Sequence, residues 1–134
     1  MKKVKNPIGL LILFLSIFVQ TGFSQTEALG IVIDVAPAVL NLNNQGEVVT
    51  VHTDIAYNLV TASTVSLNGV DINSWKADDR GNFVAKFLMN EIKDLDLNIG
   101  GMNTLVLTGE TSKGIAFQGV QEIKVINVIP AGKK

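Results

Sequence analysis

From Leu29 onward the chain is written in short β-branched runs separated by Gly, Asn and Asp, and no stretch sustains a 3.6-residue apolar period. Ile31, Ile33 and Val35 fall on one face of a first strand. Pro37, which has no N–H to give to a ladder, then confines that segment to a sheet edge or to a strand that switches sheets. Val39, Leu40 and Leu42 continue beyond the break, and Asn43, Asn44 and Gly46 form a turn, since Asn and Gly tolerate positive φ. Val49 and Val51 make the inward pair of the next strand, which puts His52 on the opposite face. Val65 and Leu67 alternate with Thr64, Ser66 and Asn68, and Asn68-Gly69 is a hairpin signal leading into a return arm from Val70 to Trp75. Phe83, Ala85 and Phe87 alternate with Asn82, Val84 and Lys86, Leu105 and Leu107 with Thr104, Val106 and Thr108. Gln121 to Val128 is the last strand, with Ile123 and Val125 inward, and Pro130 ends it.

Between Asn90 and Leu97, NEIKDLDL spaces Ile92 and Leu95 three apart, as in a helical turn. The segment is shorter than the roughly 12–15 residues at which an isolated helix is even marginal, so it reads as a crossover between sheets. The fold expected is all-β: an immunoglobulin-like antiparallel β-sandwich of about seven strands, with a partly open barrel as the alternative.

The first 24 residues follow another rule. Lys2, Lys3 and Lys5 precede an apolar run from Ile8 to Val19, far short of the roughly 20 residues that span a bilayer, and Gly22 and Ser24 are the small residues wanted before a cleavage site. This reads as a cleavable signal peptide, residues 1–24, cut after Ser24 or one residue later. It is followed by an N-terminal tail (25–29), the sandwich (30–129) and a C-terminal tail (130–134). The expectation is export to the periplasm or the extracellular space, with no membrane anchor in the mature chain.

Export changes the charge. The leader takes three of the eleven basic residues and no acid, so eight face twelve acids and the formal net charge moves from −1 to −4. The acids are spread along the chain, which gives no basic face for a phosphate backbone and argues against nucleic acid as a partner. No cysteine is present, so core packing alone must stabilise the domain outside the cell.

Three stretches carry a resemblance: IDVAPAVLNLNNQGEVVTVHT at Ile33 to Thr53, STVSLNGV at Ser63 to Val70, and LVLTGETSKGIAFQG at Leu105 to Gly119. Together they resemble a module of secreted bacterial and archaeal proteins with an IDIKPG-like opening, a DVNGDG-type stretch and an LTGET-x-G hairpin. KADDRGNF and GMNTLVLTGET are also similar to bacterial immunoglobulin-like repeats. The resemblance implies an extracytoplasmic β-sandwich of the kind that accompanies catalytic or adhesive domains, with no general enzymatic activity.

Candidate chemistry is sparse. Asp78, Asp79 and Asn82, around Gly81, are a candidate calcium site, because Ca²⁺ takes six to eight oxygen ligands. The stretch lacks D-x-D-x-D-G spacing and puts Arg80 among the ligands, so the competing reading is a hairpin turn. His52 is the sole histidine, which leaves too few ligands for a zinc site and no G-x-S-x-G elbow around it for a triad. No glycine-rich loop has a phosphate-binding context. Tyr57, in a polar stretch, is the ring expected to be exposed, whereas Trp75 is expected to be partly buried; both are candidate ligand-binding residues.

The function these features suggest is a noncatalytic structural or protein-interaction module whose partner is an envelope or extracellular protein, joined by strand addition at the edge near Pro37. The alternative is a small carbohydrate-binding module, calcium-stabilised, that holds a glycan with Tyr57, Trp75 and the Asp78–Asn82 loop.

Overall fold

A computed structural model describes residues 28–129; the expected signal peptide with its cleavage site, and residues 130–134, lie outside the described residues. The chain is predominantly β. In order it runs β1 (Leu29–Gly30), β2 (Ile33–Ala36), β3 (Val39–Asn41), β4 (Val48–Ala56), a 3₁₀ turn (Tyr57–Leu59), β5 (Val60–Leu67), β6 (Val70–Asp71), β7 (Ser74–Ala77), β8 (Asn82–Leu88), a short helix α1 (Met89–Lys93), β9 (Met102–Thr111) and β10 (Ala116–Ile126). One sheet has the order β1-β10-β9-β5-β6, with β3 also on β10, and the other the order β2-β4-β8-β7.

Alternation along each strand decides what lies between the sheets. Ile33, Val35, Val49, Val51, Ile55, Phe83, Ala85 and Phe87 from one sheet bury against Leu40, Val65, Leu67, Leu105, Leu107, Phe117, Ile123 and Val125 from the other, in a single cluster. Helix α1 carries the crossover from β8 to β9 and closes one end of this core with Met89 and Ile92, both buried. Val84 breaks the alternation: it points to the outer face with Asn82 and Lys86 yet is 0% exposed. Its cross-strand neighbours on that face are His52 and Lys76, whose ring and methylene stem are the groups positioned to shield it.

The seven expected stretches of strand are present, but two of them divide, which raises the number of strand segments to ten. The first becomes β1, β2 and β3. Residues 29–31 and 39–42 lie parallel to β10, while the intervening β2 crosses over to pair with β4, so the sheet that contains β10 is mixed, whereas the β2-β4-β8-β7 sheet is antiparallel throughout, as expected. The switch is the one that Pro37 permits. The Asn68-Gly69 turn forms as expected, with both residues at positive φ, but its return arm pairs for only two residues. The chain then leaves for the other sheet, where Ser74–Ala77 pairs with β8 instead. Strand β10 begins at Ala116, five residues before the start read from the sequence.

The hairpin of β9 and β10 shows why its glycines cannot be replaced. A Cβ at Gly109 would stand 2.6 Å from the Phe117 ring and 2.9 Å from Val65, and one at Gly119 would stand 2.5 Å from Ile33. Both positions face the core, where backbone and side chain approach more closely than any alanine allows. Gly109→Ala is therefore expected to destabilise the domain by about 1–3 kcal/mol, the scale of core overpacking, read as a lower urea midpoint with an unchanged m-value.

Candidate functional site

Sheet edges are where an all-β chain has hydrogen-bonding groups to offer, and the two edges of the β2-β4-β8-β7 sheet differ. On the β2 edge the Val35 N–H, which points away from β4, donates to the side-chain oxygen of Gln121 on β10 at 2.9 Å. Just before and just after β2 the chain bonds to β10, through Ile31 N–H to Gln118 and Lys124 N–H to Ala38. The edge near Pro37, expected to be the open one, is thus covered by the neighbouring sheet.

The β7 edge is bare. Asp78 N–H bonds to the Asn82 carbonyl, and in an antiparallel ladder the bonded pairs alternate, so Lys76 exchanges its bonds with Val84. That leaves the N–H and C=O groups of Trp75 and Ala77 pointing outward, and among the described residues none of them has a partner. All four β7 residues are exposed, Trp75 at 45%.

Tyr57 is 38% exposed, less than Trp75, which reverses the order expected from the sequence. Its N–H donates to the Gly81 carbonyl at 2.8 Å and its ring packs on Phe83 with 6.1 Å between centroids. Trp75 stands opposite Ala85 on the β7 side of β8, whereas the Tyr57 backbone is held at Gly81, and among the described residues the ring that Tyr57 packs against is Phe83, not Trp75. The structure does not bring them together as one platform.

The acidic loop between β7 and β8 closes on itself. Asp78 Oδ1 accepts the N–H of Arg80 at 2.8 Å and of Asn82 at 2.9 Å, Gly81 N–H returns to the Asp78 carbonyl, and Gly81 has a φ of 84°. The hairpin between β9 and β10 repeats the design with a hydroxyl. Thr111 Oγ1 accepts the N–H of Lys113 and of Ile115, Gly114 N–H returns to Thr111, and Gly114 has a φ of 80°. An oxygen at the first position and a left-handed glycine at the fourth are what this three-residue loop requires. Asp78 meets that need, and among the described residues no group of three or more His, Asp or Glu side chains is placed to hold a metal ion.

These bonds hold the Asp78 carboxyl below its ordinary value. The Asn82 N–H is the largest cause; desolvation, next in size, opposes it, and the Arg80 N–H, the Arg80 charge and, more weakly, His52 add to the lowering.

Two open depressions lie on the surface, one at each end of β8. One, of about 600 Å³, lies on the outer face of the β2-β4-β8-β7 sheet and includes Asp34, His52, Asp54, Lys76, Asp78 and Arg80. There the register sets Asp34, His52, Val84 and Lys76 in one row across four strands. The other, of about 640 Å³, lies between the loop after β3 and helix α1, with Asn43, Asn44, Gln45, Glu47, Asn90 and Lys93 in its walls. Reading the sequence as turn residues at Asn43, Asn44 and Gly46 gave no sign of this second site, because its other wall is supplied by α1, more than forty residues later.

Among the described residues no helix is long and apolar enough to cross a membrane. No family model, no curated protein and no solved structure matches the chain.

Because the folded Asp78 pKa lies below its ordinary unfolded value, its contribution to stability is fully present above that ordinary value and is lost as pH falls through the folded pKa. Asp78→Ala is expected to lower Tm at neutral pH, with the gap to the parent narrowing in acid. Asp78→Thr, which supplies the oxygen used at Thr111, is expected to recover much of the loss without the pH dependence. Thermal scans between neutral and acidic pH, with and without calcium, measure both effects.

Proposed function

We propose that this chain is a noncatalytic, exported β-sandwich of immunoglobulin-like architecture that works as a protein-interaction module at the cell envelope, taking an extended segment of another protein along β7. The observation that carries this reading is the bare β7 edge, with Trp75 and Ala77 presenting unpaired backbone groups beside an exposed indole. Added strands gain affinity from backbone hydrogen bonds and selectivity from neighbouring side chains, and Trp75 is the anchor of the size that dominates interface energetics.

The immunoglobulin-like part of the reading is supported by the strand order. β2-β4-β8-β7 facing β10-β9-β5 has the order of the A-B-E-D and G-F-C sheets of that architecture. Export is supported by the leader pattern of residues 1–24 and by the resemblance of the LTGET hairpin to secreted modules. The noncatalytic part is supported by the stock of residues: no cysteine, and one histidine, His52, exposed on an outer face.

A photo-crosslinking residue placed at Ser74 in cells producing the full-length chain is expected to capture one defined envelope protein that the same residue at Thr108, on the outer face of the other sheet, does not. Ala77→Pro removes an outward N–H without touching the β8 ladder and is expected to abolish capture while preserving the unfolding transition. Trp75→Ala is expected to weaken association by about tenfold to thirtyfold, or about 1.4–2 kcal/mol. Equal capture from Ser74 and Thr108, or capture indifferent to Ala77→Pro, overturns the reading.

A further inference from the structure

The loop that follows β3 is fastened to helix α1 at three points. Met89 N–H donates to the Glu47 carbonyl at 2.9 Å, Lys93 Nζ donates to the Asn44 carbonyl, and Gly46 lies so close to Met89 that a Cβ there would stand 3.1 Å from its methyl carbon. The loop is also braced from within and from behind: Asn44 Oδ1 accepts the Gly46 N–H at 3.1 Å, and Asn43 Nδ2 donates to Asn127. The cavity of about 640 Å³ between loop and helix therefore has walls whose spacing is set by the fold. That volume lies inside the range of about 300–1,000 Å³ typical of small-molecule sites.

Its chemistry is specific in kind. Gln45 and Asn90 line it with carboxamides that have no hydrogen-bond partner among the described residues, and Asn44 keeps its Nδ2 uncommitted. A carboxamide offers a donor and an acceptor side by side, which matches adjacent hydroxyl groups, each of which also donates and accepts. Leu42 and Leu88, the latter 39% exposed, add an apolar wall of the kind that the C–H face of a sugar ring covers. The charges discourage an anion: the Lys93 ammonium is already engaged by the Asn44 carbonyl, whereas the Glu47 carboxylate faces no cation in a hydrogen bond among the described residues.

We propose that this cavity is a binding site for a neutral saccharide unit, held by Gln45, Asn90 and Asn44 and stacked against Leu42 and Leu88. It is separate from β7 and does not depend on the reading of that edge. It also places glycan recognition away from Tyr57, Trp75 and the Asp78–Asn82 loop.

The test uses isotope-labelled protein purified after expression of the full-length chain. Cellobiose, maltose and N,N′-diacetylchitobiose are titrated to about 20 mM, well into the range of weak millimolar binding, with glucuronate and inorganic phosphate as anionic probes. At least one neutral disaccharide is expected to shift the side-chain NH₂ resonances of Gln45 and Asn90 in a saturable way, with the anions giving no such shift. Asn90→Ala and Gln45→Ala, both at exposed positions, are each expected to weaken that binding about tenfold at unchanged Tm. The proposal is overturned by the absence of saturable shifts with all three sugars, by shifts that persist in both variants, by shifts centred on Trp75, or by stronger response to the anions.

Discussion

Two sheets that share no disulfide are held together by what they bury against each other, and here the bulkiest fully buried side chains are three phenylalanines. Phe83 and Phe87 from β8 and Phe117 from β10 belong to one buried cluster, each essentially without exposure. Large rings fill the space between sheets only if some facing position is left empty, and Gly109 provides it, opposite Phe117 in the β9–β10 register. The same hairpin brings Gly119 against Ile33, which seats the first segment of the chain on β10. One hairpin therefore fixes both the thickness of the core and the position of β1 to β3, and the remaining strands pack to suit it.

Closing the edges is the second demand on such a fold, and it is met by two stretches that each serve both sheets. Residues 29–41 lie along β10, cross to β4 and return, so one side of the molecule is sealed by the chain and by the Gln121 side chain. Residues 70–77 do the same on the other side, but more briefly: β6 pairs for two residues and β7 for four. A short edge strand carrying a lysine is a familiar guard against uncontrolled pairing, and Lys76 stands at the middle of β7. On the proposed reading of this edge, a partner strand would meet Trp75 and Lys76 together, so that the guard would also act as a filter.

The loops follow a similar economy. Asp78 and Thr111 start two hairpins of the same design, in which a side-chain oxygen gathers two N–H groups and a glycine at positive φ completes the turn. An acidic residue in such a loop is a turn residue first, and its lowered pKa records those hydrogen bonds. The amide-rich loop after β3 is different, since Gln45 and Asn90 take no part in bracing it and face the space that the bracing creates.

Much of this was legible in the sequence. Period-two alternation marked the inward residues Val49, Val51, Val65, Leu67, Phe83, Ala85, Phe87, Leu105, Leu107, Ile123 and Val125, because on a pleated strand burial follows directly from parity. Asn68-Gly69 marked its own turn, since few other residues accept positive φ twice in succession, and Pro37 marked a break that only an edge or a sheet switch could hold. Local rules could not say where a strand goes after its turn. That Ser74–Ala77 leaves β6 to pair with β8, that Gln121 covers the β2 edge while the β7 edge stays bare, and that Asn90 faces Gln45 across a cavity are outcomes of register and packing between segments tens of residues apart. Parity and turn chemistry belong to the chain alone; free edges and cavities exist only where two distant pieces of it meet, and so only the tertiary structure decides them.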